Sequence, residues 1–296
     1  MNWQVPVMRF YSWKNDRKRD RGLSVPENVE RLTNQTYGPY GKDNLLDIYY
    51  PKGTEGPIPV ILSIHGGGYV YGDKDLYQYY CMNLCQRGFA VVNINYRLAP
   101  KWKYPAPLED VNTALKWLVM QAKNLDLKNV FIVGDSAGAQ IACQYALILT
   151  NQRYAGLFDF EALAGENLTL RALGLNCGIY SVEGVIASKN SLLEGLLLAY
   201  CGSDIQEKWG EQLEPRHFFD KNFPPSFIVT AVNDFLREQA APLGQHLTAA
   251  GVENQVKVYG SAEEKDIGHV FHLNIRNDIA KQCNDEETAF FKKHIV

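Results

Sequence analysis

Short apolar runs alternate with stretches of helical periodicity from about residue 45 onward. The apolar runs are rich in β-branched residues and are bounded by Gly, Pro or Asn, which is typical of buried strands. They predict seven strands, at 45–51, 58–65, 89–97, 129–135, 173–180, 226–232 and 254–260. The segments between them predict five helices, at 76–86, 108–122, 137–149, 237–250 and 285–294. This alternation favours an α/β fold with a mainly parallel sheet covered by helices on both faces.

Two segments do not follow the alternation. Residues 1–40 are aromatic and basic with weak periodicity, and residues 188–219 form an insertion between two predicted strands. The insertion far exceeds the ~2–6 residues usual for such connections, and long insertions at strand ends often cover a pocket. Because no repeat, low-complexity tract or linker divides the chain, we expect a single domain over residues 1–296.

The charge balance argues against a polyanionic partner. The chain has 30 Lys and Arg residues against 33 Asp and Glu residues, a formal net charge of −3. A small neutral substrate fits this balance better than nucleic acid or anionic lipid does. No run of ~20 apolar residues is present that could cross a bilayer. We therefore expect no nucleic-acid partner and no membrane insertion.

The cysteines and the first residues favour an intracellular, cytoplasmic protein. The first 22 residues interrupt their apolar positions with charges and do not resemble a signal peptide. The six cysteines are scattered through predicted helices and strands, which suits reduced, packed thiols. Cys81 and Cys85 have the spacing of ligands on one helix face, but no His or Cys pair stands nearby to complete a metal site. Core packing is favoured, and we expect no metal.

One predicted strand ends in a serine between two glycines. The run VFIVGDSAGAQIA (130–142) predicts a strand that turns at once into a helix. Only small side chains permit such crowding, and Gly134 and Gly138 supply them. Ser136 would then stand at a helix N-terminus, where free N–H groups favour the negative charge that a nucleophile generates. A serine that only caps the helix is the alternative, and this motif alone does not separate the two.

A glycine triplet after a neighbouring predicted strand favours a nucleophilic role for Ser136 over a helix-capping role. Gly66, Gly67 and Gly68 follow the predicted strand 58–65. Consecutive glycines let bare backbone approach a substrate and point N–H groups at it, although they also make flexible loops. We assign the oxyanion donors to the N–H groups of Gly67, Gly68 and Ala137, with Gly66 as a further candidate.

A serine hydroxyl needs a base, and in this architecture an acid and then a histidine follow the serine. His269 follows the last predicted strand and is the first choice for the base, with His272 as the second. Asp234 lies just beyond the predicted strand 226–232, at the edge where catalytic groups collect in open α/β sheets. Its carboxylate would hold the imidazole in the required tautomer. The remaining downstream histidines are expected to be surface or packing residues: His217, His246 and His294.

Other polar and aromatic residues near these motifs have supporting roles in this interpretation. We expect His65 to brace the glycine loop and Asp135 to anchor the turn before the serine. Tyr69 and Tyr71 follow the glycine triplet and are candidates for the floor of a substrate pocket, although aromatic residues there also fit an ordinary core.

Taken together, the motifs resemble the hormone-sensitive-lipase-like branch of the α/β-hydrolases. The matching segments are HGGG (65–68), NYRLAP (95–100), YPAPLEDV (104–111), GDSAG (134–138) and NDFLRE (233–238). The resemblance implies the α/β-hydrolase fold, with a mostly parallel eight-stranded sheet flanked by helices and a small cap contributed by about 1–40 and 188–219. It also implies hydrolysis of carboxylic esters without a cofactor. Two residues depart from the family pattern: Phe235 replaces a proline and Ala139 a glycine.

With the triad in order, the resemblance predicts a serine carboxylesterase that hydrolyses short-chain acyl esters through an acyl-enzyme intermediate. HGGGYVYGDK and YPAPLEDVNTALKW are also similar to bacterial feruloyl and acetyl-xylan esterases, so acetyl or feruloyl esters of plant carbohydrate are candidate substrates. Two alternatives stay open: a peptidase or amidase on the same triad, and a non-catalytic ligand-binding protein on this scaffold. The presence of His269 argues against the second. Because relatives often associate, a homodimer is an open possibility.

Overall fold

Eight strands form one sheet in the computed structural model, which describes residues 3–121, 123–163 and 167–296. The strands are β1 Val29–Thr36, β2 Leu45–Pro51, β3 Ile58–Ile64, β4 Ala90–Ile94, β5 Leu125–Asp135, β6 Leu170–Asn176, β7 Ser226–Ala231 and β8 Asn254–Tyr259. Their spatial order is β1-β2-β4-β3-β5-β6-β7-β8. Only β2 runs against its neighbours, and the other pairs from β4 to β8 are parallel. The predicted α/β-hydrolase fold class is confirmed.

The pattern of apolar positions misses one strand, β1. Seven of its eight residues are not buried, because it forms the outer edge of the sheet and pairs only with β2. An edge strand with two wetted faces shows no alternation of apolar and polar positions. Residues 29–36 therefore belong to the sheet, and the expected cap boundary at about residue 40 lies too far along the chain.

The α-helices lie before, between and after the strands. They are α1 Gln4–Asp20, α2 Lys74–Cys85, α3 Ala106–Gln121, α4 Ala137–Thr150, α5 Gln152–Ala155, α6 Val182–Ala187, α7 Ser191–Cys201, α8 Ile205–Trp209, α9 Ala240–Ala249 and α10 Asp278–Lys292. The five predicted helices correspond to α2, α3, α4, α9 and α10; the predicted end of the second, Ala122, lies outside the described residues. The start of α10 is set by Asn277, whose side chain caps the N–H groups of Ile279 and Ala280.

The sheet separates two apolar cores. Helices α3, α4 and α9 pack on one face through residues such as Leu115, Ala142 and Leu243. Helices α2 and α10 pack on the other through Leu84 and Phe291. All six cysteines are free and buried, as expected for packed thiols. Within the described ranges, no helix combines the length and the apolar character that a bilayer crossing requires.

Two helices meet above the carboxyl ends of the strands, where Val5 of the first and Leu197 of the second extend the apolar core on that face of the sheet. Helix α1 contacts α7, and Gln4 of α1 donates a hydrogen bond to the carbonyl of Ser191 (3.3 Å). We call α1 and α7 the cap. Helix α1 was not predicted from the sequence, because only Val5 of its residues is buried and its periodicity is weak.

A buried carboxyl joins α10 to the centre of the sheet. Glu287 is 1% exposed; its side chain accepts hydrogen bonds from Asn176 Nδ2 (2.9 Å) and Tyr80 OH (3.4 Å). A Cβ on Gly174 of β6 would collide with this carboxyl, so the glycine leaves room for it. Burial raises the pKa of Glu287 to about 7, against the opposing effect of these hydrogen bonds.

Glu287→Gln should flatten the pH dependence of stability. An acid whose pKa is raised on folding stabilises the fold below its unfolded pKa, and that contribution is lost as the pH rises through the folded pKa. For Glu287 the window runs from its ordinary value of 4.5 to about 7. Urea unfolding between pH ~5 and ~6.5 should show that the substitution reduces the fall in unfolding free energy by about 1.4 kcal/mol per pH unit.

Glu286→Gln on the same helix is the matched control. The pKa of Glu286 is lowered from 4.5 by the hydrogen bonds of Gln282 and Lys257, so this group is already ionised throughout the window. Its substitution should leave the slope unchanged. An unaltered slope in Glu287→Gln would contradict the assignment of a buried, proton-bound acid.

Candidate active site

Ser136 occupies a strained turn between β5 and α4. Its φ of 52° lies in the left-handed region, which non-glycine residues rarely adopt and which is common at functional sites. A Cβ on Gly134 would collide with the backbone of Gly138, and a Cβ on Gly138 would collide with the carbonyl oxygen of Ile64. The turn is held from the other side by Asn176, whose carbonyl accepts the Ser136 N–H (2.9 Å). The side chain of Ser136 makes no cap hydrogen bond, so the N-cap alternative fails.

The structure brings the predicted serine, histidine and aspartate together. His269 Nε2 lies 3.0 Å from Ser136 Oγ, and His269 Nδ1 lies 2.7 Å from Asp234 Oδ1. Because Nδ1 faces a carboxylate it carries the proton, which leaves Nε2 free to accept the serine proton. This is the geometry of a nucleophile, a base and an orienting acid.

Asp234 is kept ionised although it is buried. Burial by itself raises the pKa of Asp234, but the hydrogen bond and charge of His269 and the N–H of Leu236 (2.9 Å) outweigh it and lower that pKa. Thr230 Oγ1 donates to the second carboxylate oxygen (3.0 Å). An ionised partner stabilises the imidazolium that forms when the serine is deprotonated.

A backbone bridge and two side-chain hydrogen bonds connect the loops that carry the acid and the base. Asn233, next to Asp234, forms an isolated parallel bridge with Gly268, next to His269. The Asn233 side chain also donates to the carbonyls of Ser261 (2.9 Å) and Glu264 (3.1 Å) in the histidine loop. Sequence reasoning missed this residue, because nothing in its local pattern indicates a partner in a distant loop.

The glycine triplet forms a turn that faces the serine. Gly67 and Gly68 have φ values of 111° and 57°, which favour glycine. The Gly66 N–H donates to Tyr77 OH (2.9 Å), so it is already used. Gly66 is thus an anchor of the loop and not an oxyanion donor, which corrects our assignment of it as a candidate. Gly67 and Gly68, with Ala137 at the start of α4, stay the proposed donors.

Tyr77 and Asp135 form a buried support beneath this loop. Tyr77 OH donates to Asp135 Oδ2 (2.7 Å) and accepts the Gly66 N–H. Burial raises the pKa of Asp135 to about 7, with the Tyr77 hydrogen bond acting in the opposite direction. Asp135 therefore anchors the turn, as expected. Tyr77 was missed, because within α2 its tyrosine looks like any other core-facing residue.

Two histidines near the site are structural. His65 stacks on Tyr96 (ring centroids 4.1 Å apart), and its Nδ1 lies 2.7 Å from the carbonyl of Gly66, so it braces the loop. His272 is 1% exposed, and neither ring nitrogen has a partner within residues 3–121, 123–163 and 167–296. Burial lowers the pKa of His272 to about 3. His272, our second choice for the base, is a neutral core residue.

The two predicted substrate-binding tyrosines line the cavity, but their hydroxyls are engaged elsewhere. Tyr69 is 1% exposed, stacks on Tyr200 (4.0 Å) and donates to Gln140. Tyr71 OH donates to Asp16 Oδ2 (2.8 Å), which ties the loop to α1. Both tyrosines line the cavity, and their hydroxyl contacts connect the glycine loop to α4 and to α1.

The triad opens into a cavity of about 980 Å³. Its deep wall beside the glycine loop is apolar: a Cβ on Gly68 would meet Leu196 Cδ1 (2.7 Å) and Met8 Cε (3.2 Å). Phe235 is 57% exposed at the mouth and lies over the His269 ring (centroids 4.1 Å apart). Further apolar lining comes from the cap, from the loop after β6 and from the segment after His269: Val7, Ile179, Leu192, Leu193, Leu197, Val270, Phe271 and Leu273.

The donor atoms near the triad do not suit a metal ion. Cys177, Asp234 and His269 are the one group of three potential ligands that the described chain brings within 4.8 Å. Burial raises the pKa of the Cys177 thiol well above its ordinary value, so it stays protonated and hydrogen-bonds to Asp234. Each atom of this trio is already occupied by its neighbours. Cys177, which sequence reasoning placed only in the core, is one more support of the acid.

Comparison with known proteins identifies similar chains. A family described as an alpha/beta hydrolase fold matches residues 61–273. An ethyl acetate hydrolase of Pseudomonas putida is 33% identical over 206 residues, which cover 67% of this chain and 63% of that protein. Carboxylesterase NlhH of Mycobacterium tuberculosis is 30% identical over 246 residues, covering 80% of this chain and 76% of that protein. The match thus spans less than two thirds of the first relative's length.

Solved structures extend the likeness to almost the whole chain. A tributyrin phosphonate complex of esterase B from Lactobacillus rhamnosis is 25% identical, has a TM-score of 0.88 and covers 98% of this chain and 93% of its own. A bacterial heroin esterase is 22% identical with a TM-score of 0.77, covering 99% and 92%, and supports the fold.

The geometry predicts that Ser136 reacts with serine-directed phosphonates and that His269 is required. His269→Ala should slow covalent labelling of Ser136 by at least ~10³-fold, because the base is lost. His272→Phe should label at the unaltered rate and unfold at no lower temperature, because it removes two unpaired buried nitrogens. Intact-mass spectrometry over time measures both rates. Slow labelling in His272→Phe with normal labelling in His269→Ala would reverse the assignment.

Proposed function

This chain belongs to the alpha/beta hydrolase fold family, and from that premise we propose that it is a serine carboxylesterase acting on short-chain acyl esters. The observation that carries the proposal is the hydrogen-bonded row from Ser136 through His269 to Asp234, with distances of 3.0 and 2.7 Å, facing a glycine loop. Two of the relatives, an ethyl acetate hydrolase and a carboxylesterase, support the same activity.

In the first half of the reaction, Ser136 Oγ attacks the ester carbonyl while its proton passes to His269 Nε2. The negative charge that develops on the carbonyl oxygen is stabilised by the N–H groups of Gly67, Gly68 and Ala137, each of which contributes ~10²–10³ in rate. When the tetrahedral intermediate collapses, His269 gives its proton to the leaving alcohol. The acyl group is then bound to Ser136 as an ester.

In the second half, water replaces the alcohol. His269 takes a proton from the water as it attacks the acyl-serine carbonyl, and the same donors stabilise the second oxyanion. Collapse returns the proton to Ser136 and releases the carboxylic acid. Asp234 stays ionised throughout and stabilises the imidazolium at each stage.

The cavity favours a small acyl group and a larger alcohol. Leu196 and Met8 lie directly against Gly68, which leaves little width for an acyl chain beside the oxyanion donors. The rest of the 980 Å³ cavity opens toward Phe235 and Tyr11, both more than half exposed. A sugar or aromatic alcohol portion fits this rim, which supports acetyl esters of plant carbohydrate as candidates. Feruloyl esters, whose aromatic ring belongs to the acyl group, fit this division of the cavity less well.

We expect fast release of p-nitrophenol from acetate and butyrate esters, an initial burst from acyl-enzyme formation, and no turnover by Ser136→Ala. Leu196→Phe should lower the ratio of butyrate to acetate kcat/KM at least tenfold, because the larger ring narrows the acyl wall. Leu198→Phe is the matched control on the same helix, where the native side chain is 47% exposed. Acetylated xylo-oligosaccharide, methyl ferulate and an aminoacyl anilide complete the panel. Preferential turnover of the anilide would favour an amidase, and turnover by Ser136→Ala would refute the mechanism.

Tyr77→Phe tests the support beneath the glycine loop. The substitution removes the acceptor for the Gly66 N–H (2.9 Å) and the donor to Asp135 (2.7 Å), so the oxyanion donors lose their fixed position. We expect kcat on an acetate ester to fall roughly 10–100-fold with KM nearly unchanged. Tyr79→Phe, on the same helix, should leave both constants unaltered. A change in KM alone would instead place Tyr77 in substrate binding.

A further inference from the structure

Helix α1 turns its large apolar side chains away from the protein. Trp3, Phe10 and Trp13 are 60%, 59% and 47% exposed, and Val7 is 40% exposed. A surface helix ordinarily buries its apolar stripe and exposes its charges. Neighbouring exposed apolar side chains on one element mark an interaction surface.

The exposed row is continuous and changes from apolar to basic along the helix. At spacings of three and four residues it contains Trp3, Val7, Phe10, Lys14, Arg17 and Arg21, with Trp13 beside it. We call these seven residues the outer face of α1. The guanidinium of Arg17 lies 5.1 Å from the Trp13 ring centroid, which joins the two halves. The outer face contains no acidic residue.

The acidic residues of α1 are turned toward the body of the protein. Arg19 pairs with Asp16 (2.9 Å) and Asp20 (2.7 Å) and donates to the carbonyl of Leu76 (2.8 Å). Asp16 also accepts the hydroxyl of Tyr71. These contacts attach α1 to the protein and pair both of its acidic residues with Arg19. The outer face is left with positive charge alone.

We propose that the outer face of α1 docks on an anionic lipid surface. Tryptophan and other aromatic side chains favour the headgroup region, and Lys and Arg are attracted to lipid phosphates. An amphipathic helix of this kind lies in the plane of the surface without spanning it. The net charge of −3 does not oppose docking, because the basic residues are concentrated on one face. A second copy fits less well, because its outer face offers no acidic residue to pair with Lys14, Arg17 and Arg21.

The outer face adjoins the mouth of the cavity. Val7 belongs to both, and Tyr11 and Lys18 of the same helix also line the cavity. A docked α1 therefore places the opening next to the lipid, where apolar esters accumulate. Phe10, Trp13, Lys14 and Arg17 do not line the cavity, so substituting them separates docking from the site itself.

Co-sedimentation with vesicles tests the proposal. The full chain carrying Ser136→Ala, which makes the result independent of the proposed esterase activity, is mixed with phosphatidylcholine vesicles with and without phosphatidylglycerol. We expect binding only when phosphatidylglycerol is present, and its loss at ~0.5 M NaCl. F10S/W13S and K14E/R17E should each lower the partition coefficient at least about tenfold.

Matched substitutions elsewhere control for apolarity and charge. Met120→Ser removes a 71% exposed apolar side chain from α3, and K52E/K128E reverses two exposed charges outside α1. Both should bind as the unaltered chain does. F10S/W13S and K14E/R17E are also made in the chain that keeps its native Ser136. There they should retain hydrolysis of a soluble acetate ester, which shows that they fold.

Two results would overturn the docking surface. One is that the chain binds both kinds of vesicle equally, or binds neither, and that K14E/R17E does not change the partition coefficient. The other is a concentration-dependent dimer in sedimentation velocity that F10S/W13S abolishes while vesicles are not bound, which would assign the outer face to a second copy of the chain.

Discussion

The active site depends on the direct contact between the backbone of the serine turn and the end of β3. No side chain separates Gly138 from the carbonyls of Ile64 and His65, because a Cβ there would overlap both. This contact sets the separation between the serine and the glycine loop that supplies the oxyanion donors. The unfavourable φ of 52° at Ser136 is tolerated because the surrounding backbone permits no other path.

Buried polar groups then hold the parts of the site in register. Asp135 and Tyr77 fix the glycine loop from below, and Asn176 links the serine turn to Glu287 in α10. Two carboxyls in the core with pKa values near 7 are costly to stability above neutral pH. They are retained where they position catalytic backbone, which fits a site whose chemistry requires fixed donors more than maximal stability.

Elements were predictable wherever burial leaves a continuous apolar run, as in β4 and β7, or an apolar stripe, as in α3. The burial of the predicted elements shows in their sequence pattern, because the strands from β2 to β8 form the sheet and five helices pack on it. These helices are α2, α3, α4, α9 and α10. Strand β1 and helix α1 were missed because few of their residues are buried. Strand β1 is an exposed edge without alternation of apolar and polar positions. Helix α1 is held by polar contacts, and its apolar row covers only the first half of the helix and faces outward.

The sequence by itself determined the fold class, the nucleophile, the acid and the preferred base, because each follows a strand end in an order that the architecture requires. It could not separate His269 from His272, three residues apart, and only the packing decided that one faces Ser136 while the other is enclosed in the core. Likewise Gly66 and Gly67 look alike in the sequence, but Tyr77, contributed by another element, engages the first. Neighbours that are distant in the sequence decide which backbone N–H is free, which histidine ring reaches the cavity and which apolar side chains are exposed to solvent. A local sequence pattern does not contain information on those neighbours.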